Sequence, residues 1–235
     1  MADRPKPEPH GREQLQHLSR LTTPPLPREP LAWDLAASTD AASKTDEPRP
    51  PVDVPGLDLL MPIGSGSYGT VWIARNREVG MCQACKLIPP DCAAELDGLR
   101  GLVTRVPPHD ALMPIHHVAR VGDWIYCTMP LADDAGTRTP DLGDRPYVAL
   151  TLAEYIRRHG RRPAAEVARI GAELAGGLDH LRMHGVKHGD VKPSNIARHR
   201  GLWRLMDYGL VHELSAKVGA CTAAYSAPEG PGHPT

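Results

Sequence analysis

Three glycines between two short apolar runs are the feature that most restricts how this sequence can fold. Gly64, Gly66 and Gly69 follow the run at residues 59–63 and precede the run at residues 71–74. A dinucleotide-binding fingerprint of this spacing would lead from a strand through the glycines into a helix. Because the second run reads as a strand, the glycines predict the turn of a β-hairpin instead. Backbone N–H groups in such a turn can approach a phosphate closely, since no side chains intervene.

The next apolar run, residues 81–88, predicts another strand, and this strand carries a lysine. Lys86 lies near its end, after Ala84. Cys82 and Cys85 form a C-x-x-C pair, but in a strand their side chains point to opposite faces. No second Cys or His pair follows at zinc spacing, so this pair does not predict a metal or redox site.

A helix is predicted after the prolines at residues 89–90, with Asp91 placed to cap it. Its apolar residues at helical spacing are Leu96, Leu99, Leu102 and Val103. Gly98 and Gly101 should each cost about 1 kcal/mol relative to Ala, so we expect a loosely held helix. A later strand is predicted at residues 124–129.

Two more helices are predicted in the second half of the chain. Thr151 and Glu154 form a capping box for the first, which should end at Gly160. The second follows Pro163 and should end at Gly185, and its apolar stripe is Val167, Ile170, Leu174, Leu178 and Leu181. His180 and His184 could hold a metal, but no third ligand is evident and solvated histidines are the favoured alternative.

The polar segment after this helix resembles the catalytic loop of protein kinases, H-R-D-x-K-P-x-N. Residues 188–195 read His-Gly-Asp-Val-Lys-Pro-Ser-Asn. Phosphoryl transfer depends mostly on positioning and charge neutralisation. Asp190 would orient the attacking hydroxyl and accept its proton, Lys192 would reach the moving phosphoryl group, and Asn195 would hold a magnesium ion. A polar turn after a helix is the alternative explanation.

Further motifs extend the resemblance over residues 57–235, to eukaryotic-like (Hanks-type) serine/threonine protein kinases of bacteria. The motifs are the glycine loop, Ala84-Cys85-Lys86, Glu95, the catalytic loop, Asp207-Tyr208-Gly209 and Ala227-Pro228-Glu229. The resemblance implies an α+β, bilobal protein-kinase-like fold. A small antiparallel β lobe with helix αC would span about residues 56–130, and a mainly helical, incomplete large lobe about residues 131–235. Residues 1–55, rich in proline and charged residues, are predicted to be a disordered arm.

The resemblance also implies ATP and Mg²⁺ as cofactors, and protein substrates that accept the γ-phosphoryl group on Ser or Thr. Lys192 favours Ser/Thr over Tyr as the acceptor. Thr222 would bond the catalytic Asp190 and Lys192, and Asp207 would be the main magnesium ligand beside Asn195. Tyr208 would fill an apolar slot and need a partner for its hydroxyl. The implied ATP-binding residues are Ile63, Gly64, Ser65, Gly66, Ser67, Tyr68, Gly69, Thr70, Val71, Ala84, Lys86, Glu95, Met129, Leu131 and Ala132. Glu95 would pair with Lys86, or would be an ordinary surface residue of its helix.

Three departures from the family pattern carry expectations of their own. Gly189 replaces the arginine that normally pairs with a phosphate on the activation segment, so we expect that switch to be lost. Ala197 replaces a larger apolar residue under adenine, which should weaken nucleotide affinity. The sequence stops six residues after Glu229, before the central helix of the large lobe. We therefore expect a marginally stable large lobe, because burial of its apolar surface is reduced.

Charge and hydropathy exclude several other classes. With 27 basic and 28 acidic residues, no nucleic-acid or membrane-surface patch is predicted. No apolar run is long enough to span a membrane, and no secretory signal begins the chain. The five cysteines suggest reduced thiols, and the cytoplasm is the predicted compartment. The sequence does not indicate an oligomeric state.

Two other functions remain open. One is a non-catalytic, kinase-like module that binds nucleotide or partner proteins. The other is a small-molecule phosphotransferase of the aminoglycoside type, in which His-Gly-Asp is usual. Lys192, the glycine loop and the Ala-Pro-Glu motif at residues 227–229 favour the protein kinase.

Overall fold

The computed structural model describes residues 48–66, 69–92, 94–136, 147–208, 212–213 and 225. All of these belong to the second of two compact units into which the chain divides, residues 41–235.

A five-stranded antiparallel sheet forms the first part of this unit. Its strands are β1 (Leu57–Gly66), β2 (Gly69–Asn76), β3 (Cys82–Ile88), β4 (His117–Val121) and β5 (Trp124–Met129), in the order β1-β2-β3-β5-β4. The register of β1 and β2 runs from Leu57 opposite Asn76 to Gly66 opposite Gly69, which confirms the predicted hairpin. Pro62 lies on the edge strand beside an irregularity in the register, where its missing N–H group is tolerated.

The two faces of the sheet pack into separate apolar clusters, as the alternation of side chains in strands requires. The outer cluster contains Val54, Leu57, Trp72, Ala74, Cys85, Leu87 and Tyr126. The inner cluster includes Ile73, Ala84, Cys127 and Met129 and continues into the helical part. Val54 is fully buried, so packing begins a few residues before β1, within the predicted arm.

Helix α1 (Ala94–Arg105) covers the inner face of the sheet with Leu96, Leu99 and Leu102. The predicted cap is wrong, because Asp91 lies inside a short 3-10 turn at Pro90–Cys92 that precedes the helix. Val103 was also predicted to be buried and is 52% exposed. It borders an open cleft of about 420 Å³ between α1 and β4, and no element among the described residues covers it.

Two helices and two small sheets form the second part. They are α2 (Leu152–His159), α3 (Ala164–Met183), β6 (Val186–Lys187), β7 (Ile196–His199), β8 (Leu202–Leu205) and β9 (His212–Glu213). β7 pairs with β8, and β6 pairs with β9. The hydroxyl of Thr151 accepts a hydrogen bond from Glu154 N–H at 3.1 Å, as predicted for an N-cap. The Glu154 carboxylate bonds Arg157 and Arg158 instead of completing a capping box.

Helix α3 buries most of its predicted stripe and packs closely against the segment between α1 and β4. Ile170, Leu174 and Leu181 are buried, but Val167 is 56% exposed and the prediction for it is wrong. Val167 lies in the first turn of the helix, ahead of the buried positions. A Cβ atom at Gly177 would lie 2.8 Å from that of Ala111, so only glycine permits this close approach.

Candidate active site

Lys86 lies in the middle of the sheet, where β3 pairs with β2 and β5. It stands opposite Val71 on one side and Cys127 on the other, and it is only 6% exposed. Its Nζ lies 2.8 Å from Oδ1 of Asp207. Burying an ammonium group is costly unless it is paired, so this contact defines the direction of the lysine side chain.

Asp207 follows β8 in a left-handed backbone conformation, with φ of +60°. This is uncommon for a residue other than glycine. The next residue, Tyr208, is buried, and its hydroxyl lies within hydrogen-bond distance of two carbonyl oxygens, Met113 O at 2.9 Å and Leu205 O at 3.0 Å. Burial raises the pKa of Tyr208, so it remains a neutral donor. The tyrosine thus fills an apolar slot and finds the partner that its hydroxyl needs.

The segment at residues 188–195 folds around the carboxylate of Asp190. Asn195, at the end of a short 3-10 turn, donates from Nδ2 to the backbone oxygen of Asp190 at 2.9 Å and to Oδ2 at 2.8 Å. Lys192 Nζ lies 2.7 Å from the same Oδ2. Among the described residues, Asn195 Oδ1 accepts no hydrogen bond, which leaves an amide oxygen for a cation.

His188 joins this segment to the one that carries Asp207. The N–H of Asp190 donates to Nδ1 of the buried imidazole at 3.4 Å, so the proton belongs on Nε2, which lies 3.1 Å from Met206 O. Burial lowers the pKa of His188, and this favours the neutral form of the imidazole over the charged form. Met206 N–H donates to Asn195 O at 2.8 Å. The groups at positions 86, 190 and 207 are therefore brought into one region.

The glycine loop provides a close approach at one position and open space at another. Gly69 has φ of +114°, and a Cβ atom there would lie 2.0 Å from Leu87 O. A Cβ atom at Gly66 would meet nothing within 4 Å. Packing within the described residues therefore explains the glycine at position 69 but not the one at position 66.

Residues 130–133, which we call the hinge, connect β5 to the helical part, and most of their backbone groups are already bonded. Leu131 O lies 2.8 Å from His199 Nδ1, and Ala132 O accepts from the Tyr147 hydroxyl at 3.0 Å. Among the described hydrogen bonds, none involves the carbonyl oxygen of Pro130 or the N–H of Ala132. One acceptor and one donor on adjacent peptide units suit a planar heterocycle with the complementary edge.

Some predicted site residues lie outside the description. These are Ser67, Tyr68, Thr222, the side chain of Glu95, and the motif at residues 227–229.

The other predicted nucleotide-binding residues of the sheet lie on four of its strands. The glycine hairpin carries Ile63, Gly64, Ser65, Thr70 and Val71. Ala84 and Met129 face each other across β3 and β5. Ala197 is fully buried in β7. The sequence did not reveal the roles of Asp133, Tyr147 and His199, since their hinge contacts join distant segments.

The histidines on α3 have neighbours that the sequence did not suggest. His180 stacks on His109 at 4.8 Å between ring centroids and contacts His184 at 4.5 Å. His180 Nε2 and His184 Nδ1 bond backbone oxygens. In the part of the chain that is described, no group of three or more His, Cys, Asp or Glu residues is arranged to bind a metal ion. These histidines pack on each other and are half-buried, rather than simply solvated.

The sheet with its buried lysine, the paired aspartate and the His-Gly-Asp loop are features of the protein kinase fold. A family model for the protein kinase domain matches residues 57–231, and the chain belongs to this family. In the described residues no helix has the length and apolar character needed to cross a membrane.

Similar proteins come from plants, fungi and bacteria. The chain is 30% identical to CBL-interacting serine/threonine-protein kinase 7 of Arabidopsis thaliana, over 71% of this chain and 38% of that protein. It is 26% identical to serine/threonine-protein kinase ppk31 of Schizosaccharomyces pombe, over 68% of this chain and 15% of that protein. It is 24% identical to serine/threonine-protein kinase PknJ of Mycobacterium tuberculosis, over 74% and 30% respectively. The chain thus spans well under half the length of these relatives.

Proposed function

We propose that this chain is an ATP-dependent protein kinase that transfers the γ-phosphoryl group to Ser or Thr hydroxyls of protein substrates. The observation that carries the proposal is the pairing of Lys86 with Asp207 beside an Asp190 carboxylate that is itself held by Lys192 and Asn195. Two carboxylates, two ammonium groups and an amide oxygen in one region supply the parts that phosphoryl transfer requires.

The chain has groups that fit each part of the nucleotide. Pro130 O and Ala132 N–H match the donor and acceptor on the edge of adenine. Lys86 and the open position at Gly66 suit the phosphates. Asp207 and the Oδ1 of Asn195, which accepts no hydrogen bond from the described residues, are oxygen ligands of the type that Mg²⁺ prefers. When bound, ATP and Mg²⁺ supply the transferable phosphoryl group and neutralise its charge.

Asp190 is the residue that would receive the proton of the substrate hydroxyl. Its side chain is 10% exposed, and Oδ2 is engaged by Lys192 and Asn195. These two contacts orient the carboxylate and stabilise its charged form, so that it can accept a hydrogen bond from an incoming hydroxyl. Lys192 would also offset the negative charge that develops on the phosphoryl oxygens. Thr222 is proposed as an additional partner of Asp190 and Lys192.

The proposed acceptor class is Ser/Thr. Lys192 lies two residues after Asp190, at the position where the catalytic loop of Ser/Thr kinases carries a lysine. Similar proteins from plants, fungi and bacteria are named serine/threonine-protein kinases. Because the chain spans only part of those proteins, substrate identity is proposed at the level of the acceptor hydroxyl.

The decisive experiment measures transfer of radiolabelled phosphate from ATP to peptides that contain Ser, Thr or Tyr. Asp190→Asn should lower the rate about 10²- to 10⁴-fold, the range typical of a lost general base. Asp123→Asn, which removes an exposed carboxylate from the β4–β5 turn, is the matched control and should retain activity. Nucleotide binding without transfer would contradict the proposal and support a non-catalytic module. Transfer only to an aminoglycoside would indicate a small-molecule phosphotransferase.

A further inference from the structure

Asp133 is a buried carboxylate that holds together two segments distant in sequence. Oδ1 accepts a hydrogen bond from Arg200 N–H at 2.8 Å, and Oδ2 accepts one from Gly201 N–H at 3.1 Å. The backbone of Asp133 adds two bonds, from its N–H to Arg198 O at 2.6 Å and from Leu150 N–H to its own oxygen at 2.8 Å. The last residue of the hinge is therefore attached through its side chain to the β7–β8 turn, and through its backbone to β7 and to Leu150.

The turn that Asp133 holds is strained. Arg200 has φ of +52° and Gly201 has φ of +81°, and the turn joins His199 to its strand partner Leu202. Two-residue hairpin turns of this hand require positive φ at both central residues, and they favour Asn or Gly at the first. Arginine at this position pays the steric cost that glycine avoids. The carboxylate offsets that cost by accepting hydrogen bonds from both central N–H groups.

The carboxylate of Asp133 is bonded by backbone groups and not by a cationic side chain of the described residues. It is 6% exposed, and among the described residues it forms no ion pair with Lys or Arg. The two backbone N–H groups are therefore its main stabilising partners, and hydrogen bonds to a charged group are stronger than those to a neutral one. A carboxylate buried only for general stability would more often carry a cationic partner.

We propose that Asp133 is a positioning residue that holds the hinge in the conformation competent to bind nucleotide. The inference rests on the proposed function. Through its contacts with the turn, Asp133 sets the course of the chain from Pro130 to Ala132. His199 and Tyr147 occupy the carbonyl oxygens of Leu131 and Ala132 at the same time. Among the hydrogen bonds of the described residues, the Pro130 oxygen and the Ala132 N–H are then still without a partner, and these two groups are the ones proposed to bind adenine.

The test measures ATP affinity by titration calorimetry together with KM and kcat. In Asp133→Asn the side-chain amide has only one acceptor oxygen. Its NH₂ group would face the second backbone N–H, so one of the two hydrogen bonds to the turn would be lost. If the hinge spends less time in the conformation that binds nucleotide, the apparent affinity for ATP falls in proportion to the fraction of molecules in that conformation. We expect about tenfold weaker ATP binding and a matching rise in KM, roughly the effect of one lost hydrogen bond to a charged group. At saturating ATP, kcat should change less than about twofold, since the catalytic groups are untouched.

Arg200→Gly provides the internal control, because glycine adopts positive φ without cost. Alone it should leave ATP affinity unchanged, and combined with Asp133→Asn it should restore most of the lost affinity. A role of Asp133 in global stability alone would leave the ATP affinity of the folded protein unchanged, so affinity is measured at a temperature at which every variant is fully folded. If Asp133→Asn does not fold alone, the double variant decides: folding with near wild-type affinity supports the proposal, and failure to fold contradicts it.

Three results would overturn the inference. The first is unchanged affinity in Asp133→Asn. The second is weaker binding that Arg200→Gly does not restore. The third is a fall in kcat parallel to the loss of affinity. If the wild-type chain binds no nucleotide, the proposed function itself fails, and the inference fails with it.

Discussion

Lys86 and Asp207, 121 residues apart in the sequence, form an ion pair in which Nζ lies 2.8 Å from Oδ1. The lysine is buried in the sheet. The aspartate belongs to the segment after β8, and its side chain is 40% exposed. The pair therefore joins the two parts of the fold at the place where a nucleotide is proposed to bind.

Removing this lysine should abolish most activity. Lys86→Met keeps the length and apolar packing of the side chain but takes away the cation that faces Asp207. We expect kcat/KM for phosphoryl transfer to fall about 10²-fold or more, as when a preorganised charge is removed from a site. Steady-state kinetics with a Ser/Thr peptide measure this. Arg75→Met removes an exposed cation from β2 and should leave kcat/KM unchanged; equal losses in both variants would contradict the assignment.

Two glycines of the same loop should respond differently to alanine. In Gly69→Ala the new Cβ would lie 2.0 Å from Leu87 O, at φ of +114°, so the variant should lose about 2 kcal/mol or more of stability. Gly66→Ala meets nothing within 4 Å and should unfold at the wild-type temperature. It should nevertheless bind ATP more weakly, because its methyl group would enter the space proposed for the phosphates. Thermal unfolding and calorimetric titration of both variants test this, and equal melting temperatures would contradict it.

Tyr208→Phe should reduce stability without reducing catalysis. Met113 O and Leu205 O are the two carbonyls that the buried hydroxyl contacts. Loss of that donor should cost about 0.5–1.5 kcal/mol of unfolding free energy. Phe is the usual residue at this position in the family, so kcat should stay close to the wild-type value. Denaturant unfolding and kinetics on the same preparation provide the measurement. A large loss of kcat at unchanged stability would assign the hydroxyl a different role.

Stability should depend on pH through His188. Burial lowers its pKa from an ordinary value of about 6.5, so the unfolded chain binds more protons than the folded chain below that pH. The stabilising contribution is complete above about pH 6.5 and is lost as the pH falls towards the folded-state pKa. His188→Gln should flatten this dependence by at most about 1.4 kcal/mol per pH unit. Unfolding free energies between pH 5 and pH 8 (roughly the window in which histidine titrates) measure it, with exposed His116→Gln as control.

Activity should not require a phosphate on the activation segment. Gly189, with φ of +81°, stands where an arginine would pair with that phosphate. Ser215 is the only hydroxyl-bearing residue between Tyr208 and Thr222. Ser215→Ala should therefore keep kcat within about twofold of wild type, because no phosphate-dependent contact is lost. Loss of activity in this variant would show that the switch operates without the arginine.

Local chemistry in the sequence was sufficient for much of this protein. Alternation and the glycines predicted the β1–β2 hairpin, the Thr151 cap predicted the start of α2, and the order of motifs indicated the kinase family. These features depend on neighbouring residues, on backbone sterics and on spacing along one chain segment. They can be recognised without knowing which segments meet.

Tertiary structure decided what depends on contacts between distant segments. Helical periodicity placed Val103 and Val167 on apolar stripes, but both are exposed because nothing in the described protein covers them. Asp91 has the chemistry of a cap, yet the chain forms a 3-10 turn there. The hydrogen bonds of Asp133 to the β7–β8 turn cross 67 and 68 residues of sequence. Such partners emerge only when the chain has packed, since proximity in space, and not the pattern of one segment, determines which polar groups meet.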